Sequence, residues 1–144
     1  MEYSQIRKFI QSLSDELHLW DNPSIDDICN QIKEQIDSGN MVYKIHKEHE
    51  EVVGVTFAEL TTDIFYNSIL SEFLIYIYPQ YRGSYTQLIK CIDSLDELAI
   101  KYECDKIEAG ASIGFKDDKL NSFYMKLGYK PKRLEKEVNY GKSN

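Results

Sequence analysis

The chain is short of cysteine, proline, glycine and positive charge, and each shortage removes a class of protein from consideration. Its three cysteines, Cys29, Cys91 and Cys104, are odd in number, scattered, and include no CxxC pair. That pattern excludes a disulfide-stapled scaffold and a thiolate zinc cluster, and it suits reduced thiols inside a cell. His46 and His49 stand three apart across a charged turn, with no third ligand converging on them, so no metal site is expected. Three prolines and seven glycines leave no Pro/Gly-rich linker, and no repeat or low-complexity tract interrupts the sequence. Lys and Arg total 17 against 24 Asp and Glu, a net charge of -7. So few cations argue against bulk binding to nucleic acid or to an anionic membrane. No apolar run approaches membrane-span length, and the first residues lack the apolar stretch of a signal peptide. A cytoplasmic protein with no membrane segment is expected.

What is present reads as one globular domain over residues 1–144. The hydrophobic share is 42%, and the eleven tyrosines favour half-buried strands. Residues 3–18 carry Tyr3, Ile6, Phe9, Ile10, Leu13 and Leu17 at helical spacing. Asp21-Asn22-Pro23 breaks that helix. Ser24 with Asp27 then opens a second one through Ile25, Ile28, Cys29, Ile32 and Ile36, closed by Gly39-Asn40. Met41–His46 and Val52–Leu60 read as a hairpin around the charged turn 47–51, followed by an irregular link over 61–68.

The stretch from Glu72 to Cys104 organises the rest. Phe73–Tyr78 is a strand rich in aromatic and β-branched residues, and Pro79 ends it because proline has no amide for the ladder. The turn Gln80-Tyr81-Arg82-Gly83 follows, with Gly83 free to take a positive φ. Ser84 can then cap a long helix carrying Leu88, Ile92, Leu95, Ala99 and Tyr102. A strand, a glycine turn and a helix N-terminus together present unpaired amides to an anion. Lys106–Ser112 is a short strand placed to lie parallel after the crossover helix. A loop, a helix over 117–127 closed by Gly128, and a last strand, Tyr129–Val138, complete the order. Residues 139–144 form a tail. The expected architecture is α+β, a single mixed sheet with helices on both faces, in the order ααβββαβαβ.

From Val52 to about Val138 this pattern resembles the GNAT superfamily of acetyl-CoA-dependent N-acetyltransferases. The resemblance rests on Ile77-Tyr78-Pro79-Gln80-Tyr81-Arg82-Gly83, which looks like the family's V-x-P-x-Y-R-G, and on Phe123-Tyr124-Met125-Lys126-Leu127-Gly128-Tyr129, which looks like its L-Y-x-K-L-G-F. It implies acetyl-CoA as co-substrate and an amine-bearing acceptor, either a small molecule or a protein. Residues 1–40 would form the acceptor side and 41–138 the sheet and cofactor core. The loop amides around Arg82, Gly83, Ser84, Tyr85, Thr86 and Gln87 would hold the pyrophosphate, and the backbone at Ile75 and Ile77 would pair with the pantetheine arm in a gap beside a splayed strand. Tyr124 would be the general acid for the leaving thiolate and Glu72 the base for the ammonium proton, with Glu59 and Glu108 as further candidates.

Two departures accompany the resemblance. The family's R-x-x-G-x-G/A reads here Arg82-Gly83-Ser84-Tyr85-Thr86-Gln87, so Tyr85 and Gln87 replace two small residues. Their side chains either crowd the phosphate or point away from it. Asp117 stands where an asparagine is usual. A GNAT-fold binding, inhibitory or structural protein without chemistry is therefore the alternative. An open cleft beside Ile75–Ile77 argues for the enzyme, and a cleft filled by Tyr85 and other aromatics argues against it. Homodimers are common in the family, but nothing in this sequence bears on that. An acidic rim of Asp26, Asp27, Asp37 and Asp63 hints at a cationic acceptor.

Overall fold

A computed structural model describes residues 1–18, 24–83, 85–110, 117–131 and 136–141, with 117–120 as backbone alone. Two helices open the chain, α1 (Tyr3–Leu17) and α2 (Ile25–Asp37). Ser24 caps α2 through its hydroxyl while Asp27 reaches back to the Ser24 amide, the reciprocal box expected from the sequence. A meander of three antiparallel strands follows: β1 (Met41–Glu48), β2 (Glu51–Thr62) and β3 (Ser68–Ile77). A single 3-10 turn, Pro79–Tyr81, leads to α3 (Tyr85–Lys101). The short β4 (Lys106–Glu108) then lies parallel to β3, and α4 (Asp117–Lys126) completes the order. The sheet order is β1-β2-β3-β4, so the mixed α+β sheet expected from the sequence is what forms.

Helices cover both faces. Ile6, Phe9, Ile10 and Leu13 of α1, with Cys29 and Ile32 of α2, pack on Val55, Phe57, Leu74 and Tyr76. On the other face Ile92, Leu95, Leu98 and Ala99 of α3, with Tyr124 of α4, pack on Val42, Ala58 and Leu70. Burial on both faces explains why Val53 to Ala58 are all buried rather than alternately exposed.

Several sequence expectations are corrected. The β1–β2 turn shrinks to His49-Glu50, whose φ angles of 50° and 69° are those a two-residue hairpin turn requires. Pairing of Glu48 with Glu51 extends both strands into the stretch read as turn. The link over 61–68 is tighter than expected, because β2 runs on to Thr62. Asp63 then accepts hydrogen bonds from the Phe65 and Asn67 amides and the Asn67 side chain, which folds the chain straight into β3. Gly83 does not use a positive φ, and a Cβ there would meet nothing within 4 Å. Of the last strand expected over Tyr129–Val138, residues 132–135 lie outside the described part, and the flanking 129–131 and 136–138 are not strand. The loop expected over 112–116 and the Ser84 cap also lie outside it.

Two irregularities set the geometry of β3. Phe57 pairs with Leu74 but Ala58 pairs with Glu72, so Phe73 is an extra residue bulged out of the ladder. A one-residue insertion reverses the side-chain alternation. Leu70 therefore packs on the α3 face while Leu74 and Tyr76 pack under α1. Farther along, Gly54 lies so close to β3 that a Cβ would come within 2.5 Å of the Tyr76 carbonyl oxygen. Only glycine lets the two backbones approach there.

Candidate active site

The parallel pairing of β3 with β4 is three residues long, joining Ile69, Leu70 and Ser71 to Lys106, Ile107 and Glu108. Beyond Ser71, β3 continues to Ile77. Among the described residues this leaves β3 without a strand partner on that side from Glu72 to Ile77, where the Ile77 carbonyl accepts from Arg82. At about 3.3 Å per residue, that edge is roughly 16 Å long.

Glu72 sits just past the last paired residue, one residue before the bulge. Its carboxylate accepts a hydrogen bond from the Gly110 amide at 2.8 Å, just past the end of β4. Burial raises its pKa above the ordinary glutamate value, and the Gly110 amide and Tyr124 only partly oppose that shift. A carboxylate so placed is a stronger base than one in water.

Tyr124, on α4, is 3% exposed and belongs to the second core. Its hydroxyl is sealed from solvent and makes no hydrogen bond of normal geometry among the described residues. The Glu72 carboxylate is nonetheless near enough to act on it. Burial first, then that negative charge, pushes the phenol far above its usual value, so it stays neutral and able to donate. Tyr129 stands edge-on to Tyr124, with ring centroids 5.0 Å apart, and its hydroxyl is likewise buried without a hydrogen-bond partner among the described residues. Burial and the charges of Asp96, Glu72 and Asp93 push Tyr129 up to about 12. A buried hydroxyl left without a partner costs about 1–3 kcal/mol, and two side by side beside a carboxylate mark a place where polar groups of a ligand would fit. The sequence nominated Tyr124 and Glu72 separately, and the fold brings them together. Tyr129 closes the same motif as Tyr124 in the sequence, with no role there read from it.

The loop residues are placed differently. Arg82 donates through Nε to the Ile77 carbonyl at 2.7 Å, and its two terminal nitrogens grip the Glu16 carboxylate of α1. Its guanidinium also lies 5.2 Å from the centre of the Tyr76 ring. The arginine side chain thus ties the loop to α1 and occupies the Ile77 carbonyl. Gln87 is buried and turns its amide to Glu48 at 2.7 Å, while Tyr81 donates to Glu51. Tyr85, the first residue of α3, stacks on Phe123 of α4, with centroids 5.6 Å apart and planes within 10°. Thr86 is exposed. The first-turn amides at Tyr85, Thr86 and Gln87 are the ones a helix leaves without internal partners. Ile75 is half-buried against the second core, together with Leu88 and Phe123.

Other nominated groups are engaged elsewhere. Asp26 pairs with Arg7 and Tyr3, Asp27 belongs to the α2 cap, Asp37 pairs with Lys33, and Asp63 holds its own turn and Lys106. Glu59 lies opposite Ser71 in β2, and Glu108 ends β4. A groove of about 270 Å³ between β1 and α3 is lined by Lys44, His46, Lys47, Lys90 and Ser94, among others, and by none of Glu72, Ile75 or Tyr124. At its floor His46 meets the Thr56 hydroxyl at 2.9 Å, and burial lowers its pKa to about 4, so it is neutral near pH 7. Among the described residues no cluster of potential metal ligands occurs, and no helix is long and apolar enough to cross a membrane.

No family model matches the chain, and no curated protein matches it by sequence. Solved structures match over nearly its whole length. A transcriptional regulator from Bacillus halodurans C-125 superposes with a TM-score of 0.75 at 16% identity, covering 97% of this chain and 96% of that one. An aminoglycoside acetyltransferase from an uncultured soil metagenomic sample gives 0.70 at 16% identity, covering 97% and 93%. A predicted acetyltransferase from Clostridium acetobutylicum, solved with acetyl-CoA, gives 0.69 at 14% identity, covering 96% and 92%. The chain has the fold of the GNAT acetyltransferases.

Proposed function

Starting from that fold, we propose that this chain is an acetyl-CoA-dependent N-acetyltransferase acting on a primary amine in the cytoplasm. The observation that carries the reading is the meeting of Glu72 and Tyr124 just past the end of the β3–β4 pairing. The free edge of β3 at Ile75 would pair with the pantetheine arm. The first-turn amides of α3, from Tyr85 to Gln87, would take the pyrophosphate, with Gly83 and Ser84 leading into them. Arg82 would position the loop through Glu16 rather than touch phosphate.

Acetyl-CoA supplies the activated thioester. Glu72 accepts the proton of the acceptor ammonium, freeing the amine for attack, and its raised pKa makes it a stronger base for that task than an exposed glutamate. Tyr124 delivers a proton to the departing thiolate. Glu72 is then protonated and Tyr124 ionised, and because the two lie together the proton passes from carboxyl to phenolate. The pair thus returns to its starting state, and the second proton that the attacking nitrogen must lose leaves to solvent, so ammonium and thioester give amide, free thiol and one proton.

The competing reading, a GNAT-fold binding protein without chemistry, draws on the Tyr85–Phe123 stack. Calorimetric titration with CoA and acetyl-CoA separates the two. Binding, followed by release of free thiol when primary amines are added, supports the enzyme. No heat at millimolar ligand rules it out.

A further inference from the structure

The groove between β1 and α3 is lined by none of the residues that meet at Glu72 and Tyr124. It forms because alternate residues of the edge strand β1, Lys44 and His46, turn toward α3, while Lys90, Ser94 and Glu97 recur at helical spacing along the flank of α3 that faces them. Lys44 meets Glu97 at 3.7 Å, which neutralises one end. Toward the other end Lys47 and Lys90 make no ion pair among the described residues, Glu48 accepts from Gln87, and Asp93 is the acid that opposes the two lysines. The floor is polar and buried. His46 turns Nε2 to the Thr56 hydroxyl, which also receives from Ser94 and reaches the Cys91 carbonyl. The other ring nitrogen, Nδ1, has no hydrogen-bond partner among the described residues and is not sealed off, so it opens on the groove that the ring lines.

We propose that this groove is a second ligand site, which takes the phosphate group of a small molecule between Lys47 and Lys90 with His46 Nδ1 beneath it. The site stands whether or not the chain transfers acetyl groups. Its volume of about 270 Å³ lies just under the range of ordinary small-molecule pockets, about 300–1,000 Å³, so the molecule is a small one. Unliganded, the imidazole is neutral: burial first, then the charges of Lys44 and Lys90, disfavour its cation, and Glu97 only partly opposes them. Cys91 beneath is neutral too, because burial pushes its thiol up to about 12. A phosphate in the groove reverses the field at the ring. Thr56 then donates to Nε2 and the ring hydrogen sits on Nδ1, aimed at the anion, or the ring takes up a proton and donates from both nitrogens.

Inorganic phosphate is the probe, set against chloride at equal ionic strength, with the His46 ring as reporter by NMR. Phosphate should shift the His46 signals saturably, raise the proton affinity of that ring about tenfold, and leave His18 unmoved. Lys47→Ala and Lys90→Ala, both at exposed positions, should each weaken phosphate binding about tenfold, while Lys8→Ala on α1 should not change it. Loss of the response in both groove variants, with circular dichroism as in the wild type, supports the site. No saturable response of His46 to phosphate overturns it, as does a response that survives unchanged in both variants. CoA carries phosphates of its own and is titrated in parallel. A His46 response to CoA with none to inorganic phosphate would make the groove part of the donor site and overturn a separate one. Failure of CoA to bind anywhere removes the proposed function and leaves a phosphate response at His46 standing.

Discussion

Each face of the sheet buries tyrosine hydroxyls, and the two faces treat them in opposite ways. Under α1, Tyr76 receives a hydrogen bond from Ser12 at 2.6 Å and donates to Glu16 at 3.3 Å, which also grips Arg82. Under α3 and α4, the Tyr124 and Tyr129 hydroxyls have no well-formed hydrogen bond among the described residues, although the Glu72 carboxylate lies near Tyr124. The residue type and the burial are alike, so the difference lies in what surrounds them. A satisfied network fixes one arrangement of helix on sheet and ties the loop to it. An unsatisfied pair costs stability and is retained where a ligand completes it. The first face is construction, and the second is where the proposed site lies.

Substitutions that remove a single oxygen test this contrast most directly. Tyr124→Phe should lower turnover by about 10²-fold or more, the scale of a lost general acid, with little change in melting temperature, since the hydroxyl makes no hydrogen bond of normal geometry among the described residues. A full loss of stability together with activity would mean that the hydroxyl is structural after all. Glu72→Gln should abolish the rise of kcat/KM with pH, because activity in the wild type grows as Glu72 ionises through its raised pKa. Its stability contribution runs the opposite way with pH. It is fully present below the ordinary value of 4.5 and is lost as pH rises through the raised folded value, so the variant should unfold with a flatter pH dependence. Denaturant titrations at several pH values would read this. Tyr76→Phe should do the reverse of Tyr124→Phe, costing about 1 kcal/mol of stability with turnover unchanged.

Much of this was readable in the residues. Apolar spacing located α1, α2 and α3, Ser24 and Asp27 announced their cap, and Pro79 marked the end of β3. Tyr124 and Glu72 were legible as a type of residue at a type of position. Their proximity was not, because it depends on the bulge at Phe73, and a strand rich in aromatic and branched residues looks the same with or without one extra residue. The fate of Arg82 was equally hidden. An arginine beside a phosphate loop reads as a phosphate ligand, and only the arrival of Glu16 from a helix 66 residues away shows it acting as a tie. Gly83 drew the eye as the loop glycine, yet the glycine that geometry demands is Gly54, in the middle of a strand.

The two tight turns of the meander have a consequence for the order in which this molecule assembles. His49-Glu50 and Asp63–Asn67 close β1, β2 and β3 over short loops, so those strands can find one another early. Glu72 meets Gly110 across 38 residues, and Tyr124 comes later still. Closing such a span costs more chain entropy than closing a hairpin. On a ribosome the sheet's first three strands would emerge and pair before Gly110 and Tyr124 had been made, so the proposed site would be completed only after the meander has formed.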